Sequence, residues 1–314
     1  MEANTHTTPV PPGLSVLIPV YNVDVRDLVR NLLSQLRLTQ ISYEVLVYDD
    51  ASPQQNPDWQ LLQDIKSPSL LLKRIPANIG RSAIRNLLAK ESRYSHLLFI
   101  DADSGLPDET YIQHYLMYWQ DYDAIVGGTI YEEKCPSPAV MLRWVYGRRR
   151  EQITADLRNR AKHASITLNN LLIKRSVFLA TGLDERIRTY GHEDTKLGYA
   201  LDKARATVHH IQNPVIHLGL EPSAEYLEKV KAAVQNFYDL SVYQGIGQDT
   251  RLHSTFKRFD GHLLGWLLGV FFAIFGWYVR LNLLSSQPSL WLLDAYKLEL
   301  MLKRSRADRR KSKA

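Results

Sequence analysis

The sequence predicts an α/β protein with a mostly parallel central sheet and a helical, membrane-associating appendage at its C-terminal end. Three observations predict it. Short apolar runs alternate with helical patterns as far as Gly127-Gly128, the rhythm of a parallel sheet covered by helices on both faces. Those runs stop abruptly in acids or polar turns, as in Phe99-Ile100-Asp101-Ala102-Asp103, at the carboxyl ends where open α/β sheets place their ligand chemistry. From Leu263 the character changes to long apolar helices that finish in a basic run.

The elements follow in order. Strands are expected near 14–20, 43–49, 69–75, 96–101 and 124–127, with helices near 25–38, 58–66, 80–91 and 107–120 between them. The first strand, Val16-Leu17-Ile18-Pro19-Val20-Tyr21-Asn22, is broken by proline, so the chain leaves the sheet near Pro19 to Asn22. The second, Glu44 to Tyr48, runs into Asp49-Asp50-Ala51-Ser52. Asn78-Ile79-Gly80 is a turn opening a helix that carries Arg81 and Arg85 on one face, at i and i+4. Beyond Gly128 a single Arg-rich helix near 138–160 leads to a strand near 166–173, with Asn169 and Asn170 before its apolar stretch as either turn or acceptor-facing residues. Tyr190-Gly191-His192-Glu193-Asp194 then opens a helical pattern, and short strands follow near 206–210 and 214–217.

Composition bounds the chemistry. At 314 residues the chain holds one large domain, or one domain with an appendage. Its single Cys135 excludes an intrachain disulfide framework and fits a reducing compartment. Met1 to Gly13 is polar and proline-rich without a charged segment followed by an apolar one, so the folded part is expected in the cytosol. The formal charge of +6 is concentrated at the end, where Lys303, Arg304, Arg306, Arg309, Arg310, Lys311 and Lys313 face only Asp308. That basic run has no interleaved aromatics to stack bases, which argues against nucleic acid. Asp101 and Asp103 at a strand exit suit a hard divalent cation shared with substrate phosphates.

Taken together, these motifs resemble a family 2 glycosyltransferase of the GT-A fold, an inverting enzyme using a nucleotide-diphosphate sugar, of the bacterial surface-polysaccharide type. The resemblance covers residues 13–220 in motif order and spacing. It implies that the backbone near Pro19 and Tyr21, and the carboxylate of Asp49 beside Asp50, meet the nucleobase. A UDP-sugar is the expected donor. Arg81 or Arg85, after Gly80, would pair with the diphosphate at a helix N-terminus. Asp103, with Asp101 touching ribose or reaching the metal through water, would hold Mn²⁺ or Mg²⁺. His217 would complete that metal site or sit in the core, with His209 and His210 ranked below it. Asp194 would be the general base for the acceptor hydroxyl and Glu193 would orient the acceptor. The family pattern usually has a second glycine where this chain has His192. The acceptor would be a glycan or lipid-linked saccharide. A polyprenyl-phosphate acceptor on the same fold, and a non-enzymatic receiver-like domain, are the alternatives.

The expected divisions are a tail at 1–12, a catalytic domain at 13–225 (donor half 13–127, acceptor half 128–225), a membrane-associating helical region at 226–302 and a basic tail at 303–314. Leu263 to Val279 carries no charge over seventeen residues, the lower edge for crossing a bilayer, with Trp266, Trp277 and Tyr278 as interface aromatics. Both flanks are basic, with Arg251, Lys257 and Arg258 before and Arg280 after. One crossing would put a basic flank outside, so attachment to the cytoplasmic membrane surface is favoured over a span. Trp291 to Leu302 adds a second apolar helix, and the basic end would favour anionic lipid.

Overall fold

The computed structural model describes residues 10–53, 57–187 and 191–311. Most of the expected N-terminal tail, Tyr190 and the last three residues, Lys313 among them, lie outside the described residues.

The first half alternates as the apolar pattern requires. It runs β1 (Leu14–Val20), α1 (Arg26–Arg37), β2 (Tyr43–Asp49), α2 (Pro57–Gln63), β3 (Leu70–Arg74), α3 (Arg81–Glu91) and β4 (His96–Ile100). Short β5 (Ser104–Gly105), α4 (Tyr111–Leu116), β6 (Ala124–Val126) and β7 (Thr129–Ile130) follow. The second half comprises α5 (Met141–Tyr146), α6 (Ala155–Asn159), β8 (Asn170–Lys174), α7 (Arg175–Thr181), α8 (Glu193–Lys203), β9 (Val208–His210) and β10 (Val215–His217). Four long helices close the chain: α9 (Ser223–Tyr238), α10 (Arg251–Phe259), α11 (Leu263–Leu283) and α12 (Leu290–Lys311).

Seven strands form one sheet in the order β3-β2-β1-β4-β8-β6-β9. All its pairs are parallel except those made by β8, which runs antiparallel to β4 and β6. Its central strands are buried on both faces, so Val16 to Ile18 and Leu97 to Ile100 read as continuous apolar runs rather than alternating ones. One face packs on α1 and α4 through Leu32, Leu36, Tyr111 and Tyr115, and the other on α3, α7 and α8 through Leu88, Phe178 and Leu201. A second sheet, β5-β10-β7, sits past the carboxyl end of β4.

Three expected elements are corrected. The helix near 107–120 is only α4, because Asp108 turns the chain by accepting the Thr110 N–H at 2.7 Å. The single helix near 138–160 is broken. A 3-10 turn at Pro138–Val140 leads into α5, a π-turn at Gly147–Glu151 follows, and α6 starts afresh. The wider π-turn is closed by the Gln152 N–H donating to the Gly147 carbonyl at 2.9 Å, and a Cβ at Gly147 would lie 2.2 Å from the Tyr131 ring. The strand near 166–173 begins only at Asn170, leaving Ile166 to Asn169 as irregular chain at the sheet's edge.

The C-terminal helices share a core with α5. Leu142 of α5 shares one apolar core with Val230 and Phe237 of α9, Phe256 of α10, Phe272 of α11, and Leu293 and Met301 of α12. The expected boundary at 225/226 falls inside α9. Nor are residues 303–311 a free basic tail, since they are the last turns of α12. There Arg304 meets Asp239 at 3.5 Å, Arg306 meets Glu299 at 2.8 Å and Arg309 meets Asp260 at 2.9 Å.

Candidate active site

At the carboxyl ends of β1 and β2 the backbone turns sharply: Asn22 and Ala51 both have φ of 55°. A left-handed alanine costs about 1 kcal/mol, and such strain collects where a loop must hold a ligand-facing shape. The Asp49 carboxylate is buried and spoken for, accepting from Ser52 N–H at 3.1 Å and Ser52 Oγ–H at 2.5 Å and facing Arg74 Nε at 3.1 Å. Asp50 reaches the other way. Its two oxygens accept the backbone N–H of Ile79 at 2.8 Å and of Gly80 at 3.0 Å, while Asn78 Nδ2 donates to its carbonyl at 3.1 Å. Asp50 therefore fixes the turn that launches α3, where Gly80 takes φ of 89°. Asp50→Ala would strand two amides in that turn, and a loss of about 1–3 kcal/mol is expected. Denaturant unfolding of the variant checks it, with Asp50→Asn, which keeps one acceptor oxygen, between the two.

So anchored, α3 presents its arginines. Arg85 is buried and ion-paired with Asp101, also donating from Nη1 to the Arg81 carbonyl at 3.0 Å. Arg81 Nε lies 3.3 Å from Glu193 Oε1 at the start of α8. The i, i+4 pair thus forms one close ion pair with each acidic motif, Arg85 with Asp101 and Arg81 with Glu193.

Asp101 and Asp103 leave β4 together but differ electrostatically. Burial opposes ionisation of Asp101, yet Arg85 and Arg81 hold its carboxyl below the ordinary value. Burial pushes Asp103 up, His217 draws it down and the Asp101 charge pushes it up again, for a net rise. The small sheet brings His217 here: it is paired with Ser104 in the β10–β5 register, and its Nδ1 lies 3.5 Å from Asp103 Oδ2. The Leu218 N–H donates to the Asp103 carbonyl at 2.9 Å. Gly219, a residue the sequence reading passed over, closes over the carboxylate, and a Cβ there would sit 2.6 Å from Asp103 Oδ2. His209 and His210 lie elsewhere: His209 stacks on Tyr122 at 4.5 Å and His210 Nδ1 accepts from buried Arg158 at 2.9 Å. Among the described residues no three His, Cys, Asp or Glu side chains gather as a complete protein-only metal cage. The two carboxylates Asp101 and Asp103 nonetheless suit a hard divalent ion, because such ions take one or two carboxylates plus substrate phosphates, and His217 lies beside Asp103.

At the other acidic motif, His192 takes the left-handed conformation that the missing glycine would have supplied, with φ of 71° and ψ of 7°. Its ring packs on Phe237 at 4.9 Å, and burial lowers its pKa to about 4, so it is neutral. The turn survives the substitution. Asp194 Oδ1 accepts the Leu168 N–H at 3.1 Å, which orients the carboxylate. Burial and then the Glu193 charge raise its pKa to about 7, against the pull of Arg85 and Arg81.

Both acidic motifs line one cleft of about 510 Å³, with Arg81, Arg85, Asp101, Asp103, His217 and Asn169 among its walls. Pro19, Tyr21, Asp49, Asp50 and Gly80 do not line it; they hold the strand ends and turn beside it. Asn169 donates to Thr129 Oγ1 at 2.8 Å and keeps its Oδ1 unpartnered and buried. Asn170 is a core residue: it accepts from the Tyr111 and Tyr115 hydroxyls at 2.6 Å each and donates to the Gly128 and Asn213 carbonyls. Sequence reasoning also missed the far wall. There buried Arg143 pairs with Glu151 at 3.0 Å and Glu221 at 3.6 Å, between the rings of Tyr131 and Tyr226. The only advance signal was the arginine density of 143–160.

The family model described as Glycosyl transferase family 2 matches residues 15–179. A mannosyltransferase from Pyrobaculum calidifontis, solved with GDP-Man and Mn²⁺, has the same fold at 13% identity and a TM-score of 0.55, over 95% of this chain and 88% of that one. S. aureus TarS 1–349 with UDP-GlcNAc is similar at 14% identity and a TM-score of 0.48, over 96% and 92%. Against a longer TarS structure the match covers 73% of this chain and 43% of that one, at 16% identity and a TM-score of 0.47. No curated protein matches the chain.

Proposed function

The chain belongs to glycosyl transferase family 2, and on that premise we propose that it is a metal-dependent inverting transferase moving a sugar from a nucleotide-diphosphate donor to an acceptor hydroxyl in surface-polysaccharide synthesis. The observation that carries this reading is the single cleft in which Asp101, Asp103 and His217 share walls with Arg81, Arg85, Glu193 and Asp194. Asp194 takes the proton from the acceptor hydroxyl as that oxygen attacks the anomeric carbon. A carbon–oxygen bond to the acceptor forms while the bond to the β-phosphate breaks, and the nucleoside diphosphate departs. Glu193, held by Arg81, orients the acceptor, and Asn169 Oδ1 offers it a further hydrogen-bond acceptor. Asp103, His217 and Asp101 would hold Mn²⁺ or Mg²⁺, which when bound supplies neutralisation of the leaving diphosphate. Arg85 keeps Asp101 ionised for that purpose. The strained loops at Asn22 and Ala51 shape the nucleobase end, with a UDP-sugar as the expected donor. Tyr21 is exposed there, whereas Asp49 already has partners for both oxygens.

The test is donor hydrolysis by the full chain across a panel of nucleotide sugars, with Mn²⁺, Mg²⁺ or EDTA. Release of one nucleoside diphosphate, lost in EDTA, is the expected result. Absence of both hydrolysis and nucleotide binding would overturn the assignment.

The same reading puts the enzyme on the cytoplasmic membrane surface. α11 is long and apolar enough to cross a bilayer. Yet it packs one face on α12 and α10 and leaves Trp266, Leu267, Ile274, Phe275, Trp277 and Tyr278 exposed. An apolar strip of that extent marks a membrane or protein contact. Leu267→Glu with Ile274→Glu is expected to shift the protein from vesicle-bound to free in flotation while donor hydrolysis persists.

A further inference from the structure

Behind the catalytic acids lies a larger cavity of about 860 Å³, running from Glu193 and Asp194 into the C-terminal helices. Its walls are apolar: Val230, Val234 and Phe237 come from α9, Phe259 from α10, and Leu268 and Phe271 from α11. Sugar recognition does not need such a lining, since hydroxyls want hydrogen-bonding partners and the polar cleft beside it already supplies them. Two cations line the chamber with no carboxylate partner among the described residues. Arg251 opens α10, and Lys297 of α12 rests over the Tyr146 ring at 4.3 Å with its ammonium 3.3 Å from the Tyr146 hydroxyl. By contrast Arg150, at the same wall, is already paired with Asp294 at 2.8 Å. The helix that supplies Leu268 and Phe271 to the chamber also carries the exposed apolar strip, and Phe275 of that strip packs on Phe271 at 5.4 Å.

The geometry points to an acceptor that is a lipid-linked phosphate, with its hydrocarbon chain in this chamber, its phosphate at Lys297 and Arg251, and its hydroxyl-bearing end at Asp194. This deepens the transferase reading above and rests on it. Three features select that occupant. The chamber shares Arg81, Glu193 and Asp194 with the polar cleft, so a molecule filling it emerges at the general base. Its volume is within the range of small-molecule sites, and its apolar walls suit a chain rather than a glycan. The unpaired cations complement a phosphate anion. A soluble glycan would leave the chamber unfilled, and a protein side chain would leave the cations unmatched.

The test uses the full chain on phosphatidylcholine vesicles containing hexadecyl phosphate with a photoreactive diazirine at the chain end. Adducts are mapped by mass spectrometry. Labelling is expected on Val230, Val234 or Phe237 of α9, with at least a fivefold loss in Leu268→Trp and in Thr255→Trp, which fill the chamber from two different helices. The matching butyl phosphate should label α9 at least tenfold less, because each buried methylene adds to affinity, and millimolar inorganic phosphate should not compete. Adducts confined to the exposed face of α11 would overturn the proposal. So would unchanged α9 labelling in both variants, or full competition by inorganic phosphate. Donor hydrolysis on the same preparation reads the transferase assignment separately. Hydrolysis without α9 labelling defeats only the lipid site, and labelling without donor binding or hydrolysis defeats the transferase reading.

Discussion

Asp194→Asn is expected to lower sugar transfer by about 10²–10⁴-fold while leaving nucleotide-sugar affinity within a factor of two or so. The amide keeps the shape and can still turn an oxygen toward the Leu168 N–H, but it cannot take the acceptor proton. The wild-type pH profile should show the same group. Burial and Glu193 raise the Asp194 pKa to about 7, and the base must be ionised to act. The kcat/KM for transfer should therefore fall as pH drops through about 7, and that limb should vanish from the residual activity of the variant. Stability moves the opposite way. A carboxyl with a folded-state pKa above its unfolded value stabilises the fold when protonated, and that contribution is lost as pH rises through about 7. Asp194→Asn should therefore unfold at a higher temperature than wild type at pH 8, with the gap closing by pH 4. Near-normal turnover in the variant would remove Asp194 as the base.

Asp103→Ala is expected to remove the Mn²⁺ dependence of donor binding, with at least a tenfold weaker affinity in Mn²⁺ and no further loss in EDTA. The physical cause is the charge pattern at the end of β4. Asp101 is ion-paired with Arg85, whereas Asp103 lies beside His217 and its burial and the Asp101 charge push it above its usual value. Titration calorimetry of the nucleoside diphosphate with and without metal reads the effect. Gly219→Ala gives a gentler version, since its Cβ would press on the Asp103 carboxylate at 2.6 Å. It should weaken metal-dependent binding without abolishing it. Unchanged Mn²⁺-dependent affinity in Asp103→Ala would remove the residue from the metal site.

Local pattern carried the strands and helices of the first half because each was declared by its own residues. An apolar run ending in acid, or an Asn-Gly turn before an amphipathic stretch, is a short-range signal, and β1, β2, β4 and α3 fell within a residue or so of expectation. The arginine-rich stretch at 138–160 failed for the opposite reason. Its breaks are set by the Tyr131 ring against Gly147 and by a five-residue hydrogen-bond turn, neither of which a helical period reveals. Asn170 shows the same limit. A polar residue before an apolar run reads as a turn, and only the stacking of α4 on the sheet shows four hydrogen-bond partners waiting for it.

The residue types of the candidate site were likewise legible, because carboxylates at strand exits and arginines at a helix start are chemistry written locally. Their division of labour was not. Arg81 and Arg85 were equivalent on paper, and the separation between β4 and α8 assigned one to Glu193 and the other to Asp101. Asp50, a nucleotide-binding candidate from its neighbours, became the anchor of the α3 turn once β2 and that turn were adjacent. The basic end looked free until α12 folded back and paired Arg304, Arg306 and Arg309 with acids of its own chain. By itself the sequence declared most of the strands and the two acidic motifs, because hydrophobic period and turn chemistry act over a few residues, and those motifs carried the resemblance to the family. The tertiary structure alone decided which charges meet, which are spent on holding loops, and that an apolar chamber opens beside Glu193 and Asp194. Those outcomes depend on distances between segments far apart in the chain, which packing sets and local pattern does not encode.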